Sequence, residues 1–201
     1  SSREMVIAGG IDIQNGGKFL MPPNTGYVST LRIKCNYEGE YAIIVNSGGI
    51  FDVRGNARAY WKTKLSVQAN PGQNQVNTND ITGWKIGDTI TIGASQASNT
   101  TEERTIADIL DTLITLDSGL GAAHSAGAEV VNLIRNCVIT STGTGLNARS
   151  RIFVSSQTEA NFNMSWTEAS YLGYYEHSAI FLADASKSRM DYCSIHHGSG
   201  V

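Results

Sequence analysis

Charge is scarce in this chain: Asp, Glu, Lys and Arg supply 16% of its 201 residues, and the formal net charge is −3. No block of Lys and Arg is present that would neutralise a phosphate backbone, so nucleic acid is not an expected partner. A basic amphipathic segment of the kind that lies on a membrane surface is missing as well. No apolar run approaches the roughly 18–20 residues needed to cross a bilayer. Proline is confined to Pro22, Pro23 and Pro71, each in a loop between strand candidates. Cysteine is equally sparse. Cys35, Cys137 and Cys193 lack metal-ligand spacing and sit in apolar runs, which predicts free thiols packed in strands. A disulfide between two of them stays open at this stage. No targeting segment is visible, and the opening Ser1-Ser2-Arg3, without Met, is what a processed or excised piece would show.

What the chain has in quantity is Ser, Thr, Asn and Gly around a 41% hydrophobic content, a mix that suits many strands and turns better than a helical bundle. Its length allows a core that does not depend on disulfides. The organising signal is repetition. Ile13-Gln14-Asn15-Gly16-Gly17-Lys18-Phe19 returns as Val45-Asn46-Ser47-Gly48-Gly49-Ile50-Phe51, each copy a strand, a Gly-Gly corner and a strand. Ser150 to Val154 returns as Ser178 to Leu182, and Asn163-Met164-Ser165-Trp166 returns loosely as Arg189-Met190-Asp191-Tyr192. Tyr27 to Cys35 and Asn136 to Thr140 add strands of the same kind. Short strands recurring in this way predict a solenoid that stacks coil on coil and buries one continuous apolar column.

Residues 74–134 break the pattern. Thr89-Ile90-Thr91-Ile92, Arg104-Thr105-Ile106-Ala107 and Leu113-Ile114-Thr115-Leu116 read as antiparallel strands, with Asp108 to Thr112 as a hairpin connection and Ser95 to Glu103 as a polar loop. The expected organisation is therefore β-helix coils over 1–73, a small antiparallel β-barrel-like insert over 74–134, and further coils over 135–201.

The order Trp84-Lys85-Ile86-Gly87-Asp88, Glu102-Glu103-Arg104, Ile114-Thr115-Leu116, Leu120, His124, Ala128-Glu129-Val130 and Arg135 to Ile139 resembles the extracellular proteins that carry an eight-glycine domain. These include the cell-migration-inducing, hyaluronan-degrading proteins, the fibrocystin-like receptors and bacterial surface proteins. The Gly-Gly corners and Tyr192-Cys193-Ser194-Ile195-His196-His197 are similar to coils of the same group. The resemblance implies an all-β, right-handed parallel β-helix, an extracellular or cell-surface location and glycan partners. It transfers no active site. Where the degrading members carry an apolar-His-aromatic-His strand, this chain has Ser178-Ala179-Ile180-Phe181-Leu182. His124 and the Glu102-Glu103-Arg104 run fit the group's pattern, with His124 expected to bond the insert to the coils and the run to form local ion pairs.

Glycan-cleaving β-helices use a carboxylate pair, or a basic residue beside a bound cation such as Ca2+. The residues that could gather in this way are Glu176, His177, Asp184, Lys187, Arg189, Asp191, His196 and His197; the plain alternative is a solvated outer face. His196 and His197 are neighbours in a strand candidate, so they should point to opposite faces, and no metal site or other cofactor is expected, with a structural or catalytic Ca2+ staying open. Trp166, Tyr171, Tyr174 and Tyr175 are the candidate glycan-binding aromatics, against a reading in which Trp166 is core and the tyrosines line a corner. Asn99 and Asn163 fit the N-glycosylation acceptor pattern, relevant only in a eukaryotic secretory host.

The expected function is a non-catalytic β-helix segment for surface architecture or adhesion that contacts glycans. Two alternatives stand beside it: part of a polysaccharide-cleaving hydrolase or lyase, and a subunit of a self-assembling extracellular filament. The last follows from the abrupt stop at Val201 in mid-pattern, where open β-helix ends would meet further coils or neighbouring subunits.

Overall fold

The computed structural model describes residues 2–35, 37, 40–95, 100–145, 148–155, 161–174, 177–183 and 188–198. Its regular secondary structure is strand, with no α-helix among the described residues. The chain divides into two compact units, 1–57 together with 135–201, and 58–134.

In the first unit the chain makes repeated three-strand passes. These run β1 (Ser2–Ala8), β2 (Ile11–Ile13) and β3 (Lys18–Met21), then β4 (Val28–Lys34), β5 (Tyr41–Val45) and β6 (Ile50–Arg54). After the other unit's strands, numbered β7 to β12 and described below, come β13 (Cys137–Ser141), β14 (Arg151–Val154) and β15 (Asn161–Ser165). The last are β16 (Glu168–Ser170), β17 (Ile180–Leu182), β18 (Arg189–Asp191) and β19 (Ser194–His196). Three parallel sheets result, ordered β1-β4-β13-β16-β19, β2-β5-β14-β17 and β3-β6-β15-β18, so each pass gives one strand to each sheet in the same order.

Register explains why the repeats are spaced as they are. Ile11, Ile43, Ile152 and Ile180 lie side by side across the second sheet, as do Ile13, Val45, Val154 and Leu182. In the third sheet Phe19, Phe51 and Phe162 are aligned, with stacked rings 5.4 Å and 5.2 Å apart. Like residues in successive passes thus form ladders that fill one core, and each fully buried Ile, Val or Phe contributes about 1.5–3 kcal/mol relative to exposure. The Gly-Gly corners are sterically required. A Cβ on Gly49 would lie 2.6 Å from the Ile13 carbonyl oxygen, and Gly48 has φ +78°.

The second unit interrupts the first between β6 and β13. Asn56 N–H donates to Asn136 Oδ1 at 2.7 Å, and the Nδ2 groups of Asn56 and Asn136 both donate to the Asn24 carbonyl. The chain therefore leaves and re-enters the first unit at one place.

The second unit comprises β7 (Lys62–Lys64), β8 (Gln75–Asn77), β9 (Thr89–Ile92), β10 (Glu102–Leu110), β11 (Leu113–Leu116) and β12 (Glu129–Asn132). They form one antiparallel sheet, ordered β7-β12-β9-β10-β11-β8. Leu65, just past β7, bridges Thr78, just past β8, and joins the two edges. The alternating Ile90, Ile92, Ile106, Ile114, Leu116 and Val130 fill the interior with Trp84, whose indole N–H donates to the Tyr60 carbonyl at 2.6 Å.

Two expectations change. Residues 58–73 belong to this unit, because β7 pairs with β12, a partner more than sixty positions away that no local pattern reveals. The hairpin between β10 and β11 turns on Asp111 and Thr112 alone, with Asp111 at φ 54°, so Asp108 to Leu110 are strand and so are Glu102 and Glu103.

Candidate functional site

The candidate site lies where the third sheet turns into the first. Trp166 follows β15 and Tyr192 follows β18; both have left-handed backbone, φ 50° and 54°. Such a conformation costs a residue with a side chain about 1–3 kcal/mol. The cost is offset by stacking, since the two rings are parallel within 7° with centroids 4.5 Å apart. The preceding pass has Gly55 at this corner. A Cβ there would stand 1.9 Å from the Trp166 carbonyl oxygen. Thr167 is fully buried and its hydroxyl donates to the Ser165 carbonyl at 3.0 Å, which fixes the turn. Arg135, 3% exposed, places its guanidinium 5.9 Å from the Trp166 ring centre and donates to the Tyr192 carbonyl at 3.2 Å.

Beside the stack is a groove of about 410 Å3, lined by Arg54, Asn163, Met164, Ser165, Trp166, Arg189, Asp191 and Tyr192. It falls within the roughly 300–1,000 Å3 typical of small-molecule sites. Its polar side chains belong to two cross-strand rows, Asp52-Asn163-Arg189 and Arg54-Ser165-Asp191, of which Asp52 stands outside the lining and reaches the groove through its ion pair with Arg54. Asp52 is bonded by Arg54 through Nε at 2.7 Å and through Nη2, and Arg189 Nε bonds Asp191. The order of acid and base reverses from β6 to β18, and the neutral Asn163 and Ser165 lie between the two ion pairs. The groove thus offers guanidinium and amide donors, carboxylate and hydroxyl acceptors, and an aromatic wall.

Among the described residues, the expected catalytic candidates do not converge on one point. Arg189 and Asp191 are in this groove, whereas His196 is on the first sheet, its Nε2 3.3 Å from Glu168 Oε1. His177 is exposed, pairs backbone to backbone with Tyr174 and stacks on that ring at 6.0 Å. Glu176, Asp184, Lys187, Tyr175 and Asn99 lie outside the described residues. Nor do the described aromatics Trp166, Tyr171 and Tyr174 form one platform. Trp166 is a half-buried corner residue rather than core, Tyr171 stacks on His197 at 4.7 Å, and Tyr174 stacks on His177. Asn163 is half-buried, facing the groove. Sequence reasoning left out Tyr192, Arg54 and Ser165. The pairing of Asn163-Met164-Ser165-Trp166 with Arg189-Met190-Asp191-Tyr192 was the signal that locates Tyr192.

His124, fully buried, was expected to tie the insert to the coils; its bonds run within its own unit. Nδ1 lies 2.9 Å from the Gly93 carbonyl and Nε2 3.0 Å from Glu102 Oε1. Glu102 also accepts the Gly121 and Ala122 N–H groups at 2.8 Å and 2.7 Å and pairs with Arg104, the expected local ion pair. Burial pushes the Glu102 carboxyl up, but the bonds from Gly121, His124 and Ala122 and the Arg104 charge outweigh it and hold the group below its ordinary value. The three cysteines are free. Burial raises all three thiols, Cys137 up to about 11.

No family model matches the chain. It is similar to a G8 domain-containing protein of Dictyostelium discoideum, with 29% identity over 65% of this chain and 13% of that protein. The chain therefore spans about an eighth of that relative's length. Among solved structures, it is similar to the tailspike gp61 of Pseudomonas phage phi297, at TM-score 0.41 and 11% identity, over 94% of this chain and 41% of that one. It is also similar to the gp54 tailspike of Acinetobacter baumannii bacteriophage AP22, solved in complex with A. baumannii capsular saccharide, at TM-score 0.35 and 11% identity, over 98% and 40% of the two chains.

Proposed function

We propose that this chain is a glycan-contacting segment of a right-handed parallel β-helix that serves surface architecture or adhesion outside the cell. The handedness follows from the general rule that crossovers between parallel strands of one sheet are right-handed. The observation that carries the glycan reading is the Trp166–Tyr192 stack beside a groove of paired Arg and Asp side chains with Asn163 and Ser165 between them. Aromatic faces pack against the C–H faces of sugar rings, and planar amide, guanidinium and carboxylate groups bond vicinal hydroxyls in pairs. Holding both ion pairs on strands rather than loops keeps these groups in place before a sugar arrives.

The test is a glycan array probed with the 201-residue chain, followed by NMR titration with each hit. Binding that perturbs the Trp166 indole and weakens at least tenfold in Arg189→Ala supports the proposal. A chain that binds no glycan, or whose binding ignores both residues, overturns it. Release of new reducing ends from a bound polysaccharide would replace the adhesive reading with the polysaccharide-cleaving one.

A further inference from the structure

We propose that His196 and His197 form a binding site for a tetragonal divalent transition ion, Cu2+ or Ni2+, with Glu168 as the carboxylate that orients His196. Neighbouring residues of a strand point to opposite faces, and on that ground the pair was not expected to share an ion. The backbone removes the objection. β19 ends at His196, and His197 adopts left-handed φ 51°, which brings its ring round to the same side. The two Nδ1 atoms are 2.7 Å apart, with the rings at 62°.

This separation selects the ion. With metal–nitrogen bonds of about 2.0 Å, cis nitrogens on a square-planar or octahedral ion stand about 2.8 Å apart, and nitrogens on a tetrahedral ion about 3.3 Å. From the 2.7 Å contact the two nitrogens need to part by about 0.1 Å to reach the former and about 0.6 Å to reach the latter, and the smaller rearrangement favours Cu2+ or Ni2+ over Zn2+. Without metal, one Nδ1 donates to the other across the short gap. As the ion takes both Nδ1 lone pairs, the proton between them passes through solvent to the Nε2 of the ring that carried it, leaving both imidazoles neutral, and water completes the coordination shell.

Two supports fix the rings. Glu168 Oε1 lies 3.3 Å from His196 Nε2, diagonally across the β16–β19 pair; the contact lacks hydrogen-bond geometry as it stands, and in the proposed site a turn of the carboxylate completes it and holds the far nitrogen of the ligating imidazole protonated. On the other side the His197 ring stacks on Tyr171, itself at φ 52°, with centroids 4.7 Å apart and planes within 6°. Arg149 donates to the His197 carbonyl at 2.7 Å and sits over the Tyr171 face, so its charge is engaged with the backbone and the ring.

The experiment is isothermal titration of the 201-residue chain with NiCl2 in a non-chelating buffer, read in parallel by imidazole nitrogen NMR. The expected result is one site whose signals move at the Nδ1 atoms of His196 and His197 while His196 Nε2 keeps its proton. His196→Gln and His197→Gln should each abolish that site, Glu168→Gln should weaken it about tenfold, and Zn2+ should bind more weakly than Ni2+. Circular dichroism of each variant shows that the fold persists. Absence of a stoichiometric site overturns the proposal. So does a site that survives in a folded His197→Gln variant, which would place the metal on the chain's amino terminus or on other histidines.

Discussion

Trp166 and Tyr192 occupy the same corner on successive passes, each in left-handed backbone and each with its ring flat on the other. The stack joins two costs and one gain in a way substitution can separate. Trp166→Gly removes the backbone strain together with the ring, whereas Trp166→Ala removes the ring and keeps the strain. The glycine variant should therefore be the more stable of the two by about 1 kcal/mol in urea unfolding. Both should lose glycan binding at least tenfold.

Close backbone approach makes a second contrast. Gly55 abuts the Trp166 carbonyl, an atom that cannot swing aside as a side-chain tip can. Gly55→Ala should destabilise the chain by about 2 kcal/mol or more, roughly 4–8 °C in Tm. Gly145 has nothing within 4 Å of the added carbon and serves as the control. Gly145→Ala should shift stability by less than about 0.5 kcal/mol.

Glu102 makes the stability of the 58–134 unit depend on acid. Its carboxyl is held below its ordinary value of 4.5 in the folded state. The stabilisation is therefore complete above that value and is lost as pH falls through the lower folded value. Glu102→Gln should lower stability at pH 7 by about 1–3 kcal/mol, because the amide cannot accept all the bonds that Gly121, Ala122, His124 and Arg104 direct at this position. The variant should also lose this group's share of the acid sensitivity between pH 5 and 2. Chemical denaturation across that range, monitored through buried Trp84, measures both effects.

The thiols give a fourth test. With Cys137 buried and its thiol raised to about 11, almost none is thiolate at pH 8, and burial raises Cys35 and Cys193 as well. Native protein should react with an aromatic disulfide reagent far more slowly than an exposed cysteine. Denatured protein should release three equivalents. Rapid native reaction at Cys137 would contradict the packing described here.

The passes were legible because their ladders repeat identical chemistry at matched positions: Phe19 over Phe51, and Ile152 over Ile180. The corners were legible where glycine supplied them, at Gly16 and Gly48. They were hidden where Trp166, Tyr171, Tyr192 and His197 take the same backbone, since nothing in an aromatic residue announces positive φ. This is why His196 and His197 read as opposed and prove convergent. The start of the second unit was hidden for another reason. Lys62-Thr63-Lys64 acquires its strand partner only when Glu129 to Val131 arrives, and its own sequence carries no trace of that pairing. The groove was half legible: Arg189, Asp191 and Trp166 stood out as chemistry, but Arg54 comes from a pass more than a hundred positions earlier.

The Asn24 carbonyl that gathers both Asn56 and Asn136 gives the first unit a socket. Because the strands on either side meet at that point, the path from Gly55 to Cys137 can be closed by a bridge of about two or three residues. Whatever lies between can be exchanged while the three ladders keep their register. A chain built on this plan can diversify by cassette, renewing what it carries at one port while its stacked frame stays constant.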